Sequence, residues 1–103
     1  MGVGKVAAQV AHVVLAAYKQ ASRDREAAVR EWEEAGEPTI VLGCQDFEGL
    51  QALMSVASSK QLPHVIVSDA GRTQVAPGSV TVAAIGPARV HEIDAVTGHL
   101  SLL

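Results

Sequence analysis

Apolar residues recur at helical spacing through the first part of the chain. Val6, Val10 and Val13 stand three or four positions apart, and alanines fill many of the positions between and after them. This pattern is typical of a helix with one buried face. It predicts a helix over residues 4–22.

Six further elements follow from the same pattern. A second helix is predicted to end at Gly36, because Pro38 prevents its continuation. Runs rich in valine and isoleucine predict strands, and Asp46 is the expected N-cap of a third helix. The predicted helices cover 23–35, 47–60 and 87–97, with Gly98 as a stop signal. The predicted strands cover 39–43, 64–68 and 80–85, and an apolar tail at 100–103 is expected to dock back.

This order of elements predicts a single α/β domain over residues 1–103, with helices on both faces of a small mixed sheet. Three strands are few for this much helix, so a further strand before Met1 is expected to belong to the sheet. Half of the residues are hydrophobic (49%) and only 3% are aromatic, so the core is expected to consist of valine, leucine, isoleucine and alanine.

Composition indicates the cellular compartment in which the protein is expected. No apolar run approaches the roughly 20 residues that cross a bilayer, and we expect a cytoplasmic protein. Cys44 is the one cysteine, which excludes an internal disulfide and fits a reducing compartment. Because it follows a predicted strand, we expect a buried thiol.

The net charge of −3 is unevenly distributed. Six of the 11 acidic residues lie between Asp24 and Glu37, together with two of the eight basic residues. The rest of the chain therefore carries six basic and five acidic residues, and it could present a basic patch to phosphates.

The segment between the last two predicted strands, DAGRTQVAPGS (residues 69–79), combines four kinds of polar group. Asp69, Arg72, Thr73 and Gln74 supply a carboxylate, a guanidinium, a hydroxyl and a carboxamide within six positions. A purely structural loop needs the glycines and the proline but not these four together. We expect the chemistry of the protein in this loop.

A polar stripe on the first helix is the second candidate. Lys5, Gln9 and His12 share one face, which continues through Ala16 to Lys19. Lysine is disfavoured at the positive end of a helix, so Lys5 is expected to have a counter-charge there. Ligands of α/β sheets collect where strand ends and helix N-termini converge, and Lys5 and Asp69 could meet at such a place.

The residues alone do not specify a reaction. Asp69 could form an ordinary turn, and His12 could be an ordinary helix histidine. No His, Cys and carboxylate spacing suits a metal, so neither a metal site nor a cofactor is predicted. No nucleophile elbow is present, and the glycine–lysine segment is not a P-loop because Val6 stands in place of Ser or Thr. The pattern indicates a polar, anion-binding site.

Two long segments, MGVGKVAAQVAH (1–12) and DAGRTQVAPGS (69–79), occur in order with Thr81, IGP (85–87) and VTGHL (96–100). In this order and spacing the whole chain resembles the archaeal and eukaryotic type of peptidyl-tRNA hydrolase. The resemblance implies a four-stranded mixed sheet and an esterase that releases peptides from peptidyl-tRNA without a covalent intermediate. It implies catalytic roles for Lys5, Asp69, Thr73 and Thr81, and substrate binding by Gln9, His12, Arg72 and Gln74.

The resemblance also sets expectations about the parts and partners of the domain. Family members carry an apolar strand just before the glycine–lysine segment, and this chain is expected to lack that strand. Peptidyl-tRNA is the expected partner, and the resemblance leaves open whether the chain forms a homodimer. The main alternative is a tRNA- or protein-binding module with the same fold and no hydrolysis, and a hydrolase of peptide amides is a third.

Overall fold

The structure is a computed structural model that describes residues 2–68 and 81–103. Four helices and two strands follow one another in the described residues, and their order agrees with the predicted one apart from the strand expected at 39–43. The elements are α1 (Val3–Asp24), α2 (Glu26–Glu34), α3 (Phe47–Ser59), β1 (His64–Ser68), β2 (Thr81–Ile85) and α4 (Val90–Thr97).

The boundary between α1 and α2 lies two to three residues later than predicted, at Arg25. No glycine or proline stands at this break, so the local sequence offers no stop signal. The contact found there is tertiary: the Arg25 guanidinium donates a hydrogen bond to the Gln61 carbonyl over 2.7 Å. A local sequence pattern does not predict a contact between distant parts of the chain.

Trp32 packs where α1 meets α2. Its ring centroid lies 6.2 Å from that of Tyr18, with the ring planes tilted by 48°. The Trp32 indole N–H donates to the Pro38 carbonyl over 2.8 Å, and the Tyr18 hydroxyl donates to a Glu33 carboxylate oxygen over 2.9 Å. The two aromatic side chains therefore join the helices and keep their polar atoms hydrogen-bonded.

The two strands form an antiparallel pair whose register runs from His64 opposite Ile85 to Ser68 opposite Thr81. Helix α1 contacts both strands and α2, whereas α3 contacts both strands and α4. The strands thus lie between two pairs of helices, as the predicted α/β fold requires. The described part of the sheet is antiparallel.

The prediction of a buried strand at 39–43 is wrong. Leu42 forms a single bridge with Leu102, flanked by hydrogen bonds from Gly43 to Ser101 and from Leu103 to Val41. Ile40 is 72% exposed. Strand-forming residues build a strand only where a neighbour pairs with them along their length, and the apolar tail offers one bridge. The backbone of the tail docks as expected, while Leu102 and Leu103 remain exposed.

The exposed thiol of Cys44 is a second correction. The expected burial depended on the strand at 39–43, and without that strand the cysteine lies on an open segment. Its Sγ lies 3.6 Å from the Asp46 carbonyl oxygen.

The apolar core is small and aliphatic. Ala57, Leu62 and Val96 form its buried centre, where α3, α4 and the segment before β1 meet. Three partly buried side chains pack against this centre, namely Leu53, Ile85 and Ala88. The predicted aliphatic composition of the core is confirmed for the described residues.

Helix ends follow the predicted signals at three places. An Asp46 carboxylate oxygen accepts a hydrogen bond from the Gly49 amide over 2.8 Å and caps α3. Gly36 follows α2 with a φ of +94°, a conformation that favours glycine. At Gly98, after α4, a Cβ would lie 2.6 Å from the Asp94 carbonyl oxygen, so only glycine fits.

The start of α4 differs from the prediction by three residues. The helix begins at Val90, and the Arg89 amide donates to a Glu92 carboxylate oxygen over 3.2 Å. This capping arrangement sets the start of α4, so Pro87 precedes the helix instead of beginning it.

Candidate functional site

One end of the β1–β2 pair carries the predicted catalytic residue Thr81. Thr81 is the first residue of β2, is partly buried, and lies opposite Ser68, the last residue of β1. Asp69 comes directly after Ser68 in the sequence. The predicted catalytic residues Asp69 and Thr73 and the predicted binding residues Arg72 and Gln74 lie outside the described residues.

Lys5 lies in the first turn of α1, as predicted, and its side chain is exposed. The N-cap is Gly2, which supplies no side-chain hydrogen bond, and the first turn contains no acidic residue. The free amide groups of a helix N-terminus carry partial positive charge, and the lysine adds a full one. This end of α1 is therefore suited to an anionic group of a ligand or to a transition state that develops negative charge.

Gln9 lies one turn further along α1 and is only 5% exposed. It is the one buried polar residue among those that the structure describes, and it is not without a partner. Burial of a carboxamide is costly unless it is hydrogen-bonded, so the Gln9 side chain is held in place rather than free to rotate.

His12 follows after another turn and is exposed. The rise between successive members of the stripe is about 6 Å from Lys5 to Gln9 and about 4.5 Å from Gln9 to His12. The predicted stripe therefore lies along the border between the buried and exposed sides of α1. Two side chains that reach water flank a fixed carboxamide, which is an arrangement that can bind a polar ligand.

Helix α1 contacts both strands, so it and the β1–β2 pair form one packed unit. Ser68, the cross-strand neighbour of Thr81, is not among the residues that the sequence predicts for the site. Its pairing with Thr81 follows from the strand register, which the sequence pattern does not give. Ser68, like Lys5, takes part in a polar or electrostatic interaction.

Two clefts of about 230 Å³ are lined by other described residues. One lies beside the C-terminal part of α1, between Arg25 and His64, and the other lies between Lys60 and α4. Both are smaller than typical ligand pockets of about 300–1,000 Å³, and neither contains a predicted site residue. The candidate site therefore remains the polar stripe on α1 together with the end of the β1–β2 pair that carries Thr81.

The described residues contain no group of three or more His, Cys, Asp and Glu side chains that could hold a metal ion. None of the helices within 2–68 and 81–103 is long and apolar enough to cross a membrane.

Comparison with known proteins gives consistent results. A family model described as peptidyl-tRNA hydrolase PTH2 matches residues 1–103. The chain is 48% identical over 102 residues to human mitochondrial peptidyl-tRNA hydrolase 2, covering 99% of this chain and 57% of the relative. It is 48% identical over 100 residues to the peptidyl-tRNA hydrolase of Methanopyrus kandleri, covering 97% of this chain and 85% of the relative. The chain spans little more than half the length of the mammalian relatives it matches.

Proposed function

The chain belongs to the PTH2 family of peptidyl-tRNA hydrolases, and from that premise we propose that it hydrolyses the ester bond between a peptide and the 3′ ribose of tRNA. The observation that carries the proposal is the match of the family over all 103 residues, which includes the stripe on α1, the polar loop and Thr81. An archaeal relative of that name, aligned over 85% of its own length at 48% identity, supports it further.

Ester hydrolysis requires a water molecule that loses a proton and a carbonyl oxygen that gains negative charge. We assign the first task to Asp69, which accepts a proton from the attacking water or orients it. Thr73 and Thr81 hold that water or the ester through hydrogen bonds. The position of Thr81 at the start of a paired strand supports this role, because the ladder fixes its backbone.

Lys5 stabilises the developing oxyanion or a nearby phosphate in this proposal. Its place in the first turn of α1 supports the role, since the helix N-terminus adds positive charge at the same end. Gln9, His12, Arg72 and Gln74 bind the substrate. The burial of Gln9 suits a fixed hydrogen-bonding group, and Arg72 is assigned to the tRNA backbone in a contact independent of sequence.

The test is single-turnover hydrolysis of a blocked aminoacyl-tRNA by the wild-type chain and by the variants Lys5→Ala and Asp69→Ala. Each variant is expected to cleave about 10² to 10⁴ times more slowly while its circular dichroism stays unchanged. Lys60→Ala and Asp94→Ala are the matched controls, because they remove the same groups from exposed positions on other elements. Near wild-type cleavage by both site variants would contradict the assigned roles.

The same experiment distinguishes the alternative of a binding module. If the wild-type chain is folded and binds tRNA but does not release the blocked amino acid, the fold serves binding alone and the hydrolase proposal fails. Cleavage of the ester by the wild-type chain excludes a purely binding role.

We propose the cytoplasm as the location of the protein. Three mammalian relatives carry the word mitochondrial in their names, so a mitochondrial location is the alternative. Fractionation of the source cells, with the protein detected by antibody, tests this proposal, and recovery in an organelle fraction would overturn it.

A further inference from the structure

Helix α1 carries an exposed row of basic side chains along almost its whole length. Lys5, His12, Lys19 and Arg23 follow one another at separations of seven, seven and four residues, and all four are exposed. At 100° per residue, neighbours in this row differ by about 20° to 40° around the helix axis. At 1.5 Å per residue, the row is about 27 Å long. We refer to these four residues as the α1 basic row.

Glu33, an acidic residue of the neighbouring helix, lies to one side of this row. Tyr18 binds Glu33 of α2, which marks the side of α1 that faces α2. Lys19 lies about 100° around the axis from Tyr18, and Asp24, the only acid within α1, lies about 100° from Arg23. Glu33 therefore contacts a different side of α1 from the one that carries the row, and Asp24 also lies off the row although it is close in sequence.

Contacts within the described residues do not explain the two members of the row nearest the end of α1, Lys19 and Arg23. In the described parts of the chain, neither Lys19 nor Arg23 forms an ion pair or a side-chain hydrogen bond. The helix dipole stabilises a cation such as Arg23 in the last turn, but it disfavours Lys5 in the first turn, so it does not account for the whole row. By contrast, Arg30 on α2 is paired with Glu26.

We propose that the α1 basic row binds the phosphate backbone of the helical part of tRNA. This inference rests on the proposed function, which places the ester near Lys5, the first residue of the row, and the exposed cations of the row then mark a path for the adjoining RNA helix along α1. Double-stranded RNA is recognised through its shape and its phosphates, and a straight helix presents the four groups at fixed spacing. Lys19 and Arg23 thereby extend the substrate-binding set toward the far end of α1, with no preference for base sequence.

The test measures binding of deacylated tRNA by fluorescence anisotropy over a range of salt concentrations. The double variant Lys19→Gln/Arg23→Gln is expected to bind about tenfold more weakly at low salt, and its plot of log affinity against log salt is expected to be shallower by about 1 for each cation lost. Glutamine is a good helix former, so α1 is expected to persist, which circular dichroism checks.

Two controls separate the row from general charge effects. The swap Lys19→Arg/Arg23→Lys keeps both charges and is expected to keep the wild-type slope. Arg30→Gln removes a cation from α2 and is also expected to keep it. If the double glutamine variant keeps the wild-type slope of log affinity against log salt, the inference is overturned. It is also overturned if Arg30→Gln loses as much slope per charge as the double variant does, because that result would indicate an effect of net charge alone.

Failure of this inference and failure of the proposed function give different results. A wild-type chain that binds tRNA through the row but cleaves no ester keeps the inference and overturns the hydrolase proposal. A chain that cleaves the ester while its tRNA affinity is indifferent to Lys19 and Arg23 keeps the hydrolase proposal and overturns the inference.

Discussion

Ser68 and Thr81 lie opposite each other as the last pair of the β1–β2 ladder, at the end where residues 69–80 join the two strands. Thr81 therefore enters the sheet next to the residue that immediately precedes Asp69 in the sequence. A paired strand holds its residues more firmly than a loop does. This relationship is the firmest structural support for a role of Thr81 beside Asp69.

Replacement of Thr81 by valine is expected to slow ester hydrolysis by about 10- to 100-fold without unfolding the domain. Valine keeps the β-branched shape that suits a strand and removes only the hydroxyl. A hydrogen bond made to the reacting groups is worth more in the transition state than in water, so its loss should reduce turnover. Single-turnover hydrolysis of a blocked aminoacyl-tRNA provides the measurement.

Thr97→Val is the matched control for Thr81→Val. The Thr97 hydroxyl donates to the Ile93 carbonyl one turn earlier in α4, far in sequence from the polar loop. This control is expected to retain wild-type turnover. Equal turnover in both variants would remove Thr81 from the catalytic set.

The order of elements could be predicted because local signals agree with the fold at most places. Asp46 caps α3 and Gly98 follows α4 as the sequence indicates. The failed strand at 39–43 shows the limit of such signals. Its composition suits a strand, but strand formation depends on a neighbouring strand, and the described chain offers only the bridge between Leu42 and Leu102.

The positions of the predicted site residues in the fold could be predicted only in part. Helical spacing correctly placed Lys5, Gln9 and His12 on adjoining turns of one helix. Spacing did not reveal that Gln9 is buried while Lys5 and His12 are exposed, because burial depends on what packs against the helix. The pairing of Ser68 with Thr81 required the strand register, which depends on contacts between distant residues.

Tyr18 is expected to titrate at a higher pH than an ordinary tyrosine. The Glu33 carboxylate accepts a hydrogen bond from the Tyr18 hydroxyl, and this bond, together with the negative charge of Glu33, raises the pKa of Tyr18 above its usual 10.0. Because the pKa is higher in the folded protein than in the unfolded chain, the stabilisation is complete below pH 10 and is lost as pH rises through the folded value.

Ultraviolet absorbance of the tyrosinate provides the measurement, since Tyr18 is the only tyrosine of the chain. The variant Glu33→Gln is expected to lower the pKa of Tyr18 toward its usual value. Glu34→Gln removes an adjacent exposed carboxylate that forms no hydrogen bond with Tyr18, and it serves as the control. Identical titration curves for the two variants would show that the hydrogen bond to Glu33 does not persist in solution.

Replacement of Asp46 by alanine is expected to destabilise the domain by about 1 kcal/mol, because the Gly49 amide loses its cap. For a domain of this size, such a loss lowers Tm by about 4–8 °C. Asp46→Asn keeps a side-chain oxygen at the cap, so its Tm should be close to that of the wild-type chain. Thermal unfolding followed by circular dichroism measures both, and equal melting temperatures for alanine and asparagine would contradict the capping role.

Replacement of Gln9 by glutamate is expected to add a pH dependence to the free energy of unfolding that the wild-type chain lacks. Position 9 is 5% exposed, and burial raises the pKa of a carboxyl group above its unfolded value of about 4.3. Below that pH the glutamic acid is neutral in both the folded and the unfolded state, so the variant's free energy of unfolding should be closest to the wild-type value there. As pH rises toward the folded pKa, the variant should lose about 1.4 kcal/mol for each unit by which that pKa is raised.

Gln9→Met separates this effect of charge from the loss of the carboxamide. Methionine has a similar length and no titrating group, so its cost, about 1–3 kcal/mol for the lost polar contact, should be the same at every pH. Denaturant unfolding from pH 4 to pH 8, read from Trp32 fluorescence, compares the two variants. If their stabilities run parallel across this range, the carboxylate at position 9 reaches water, and Gln9 is then not a fixed group of the site.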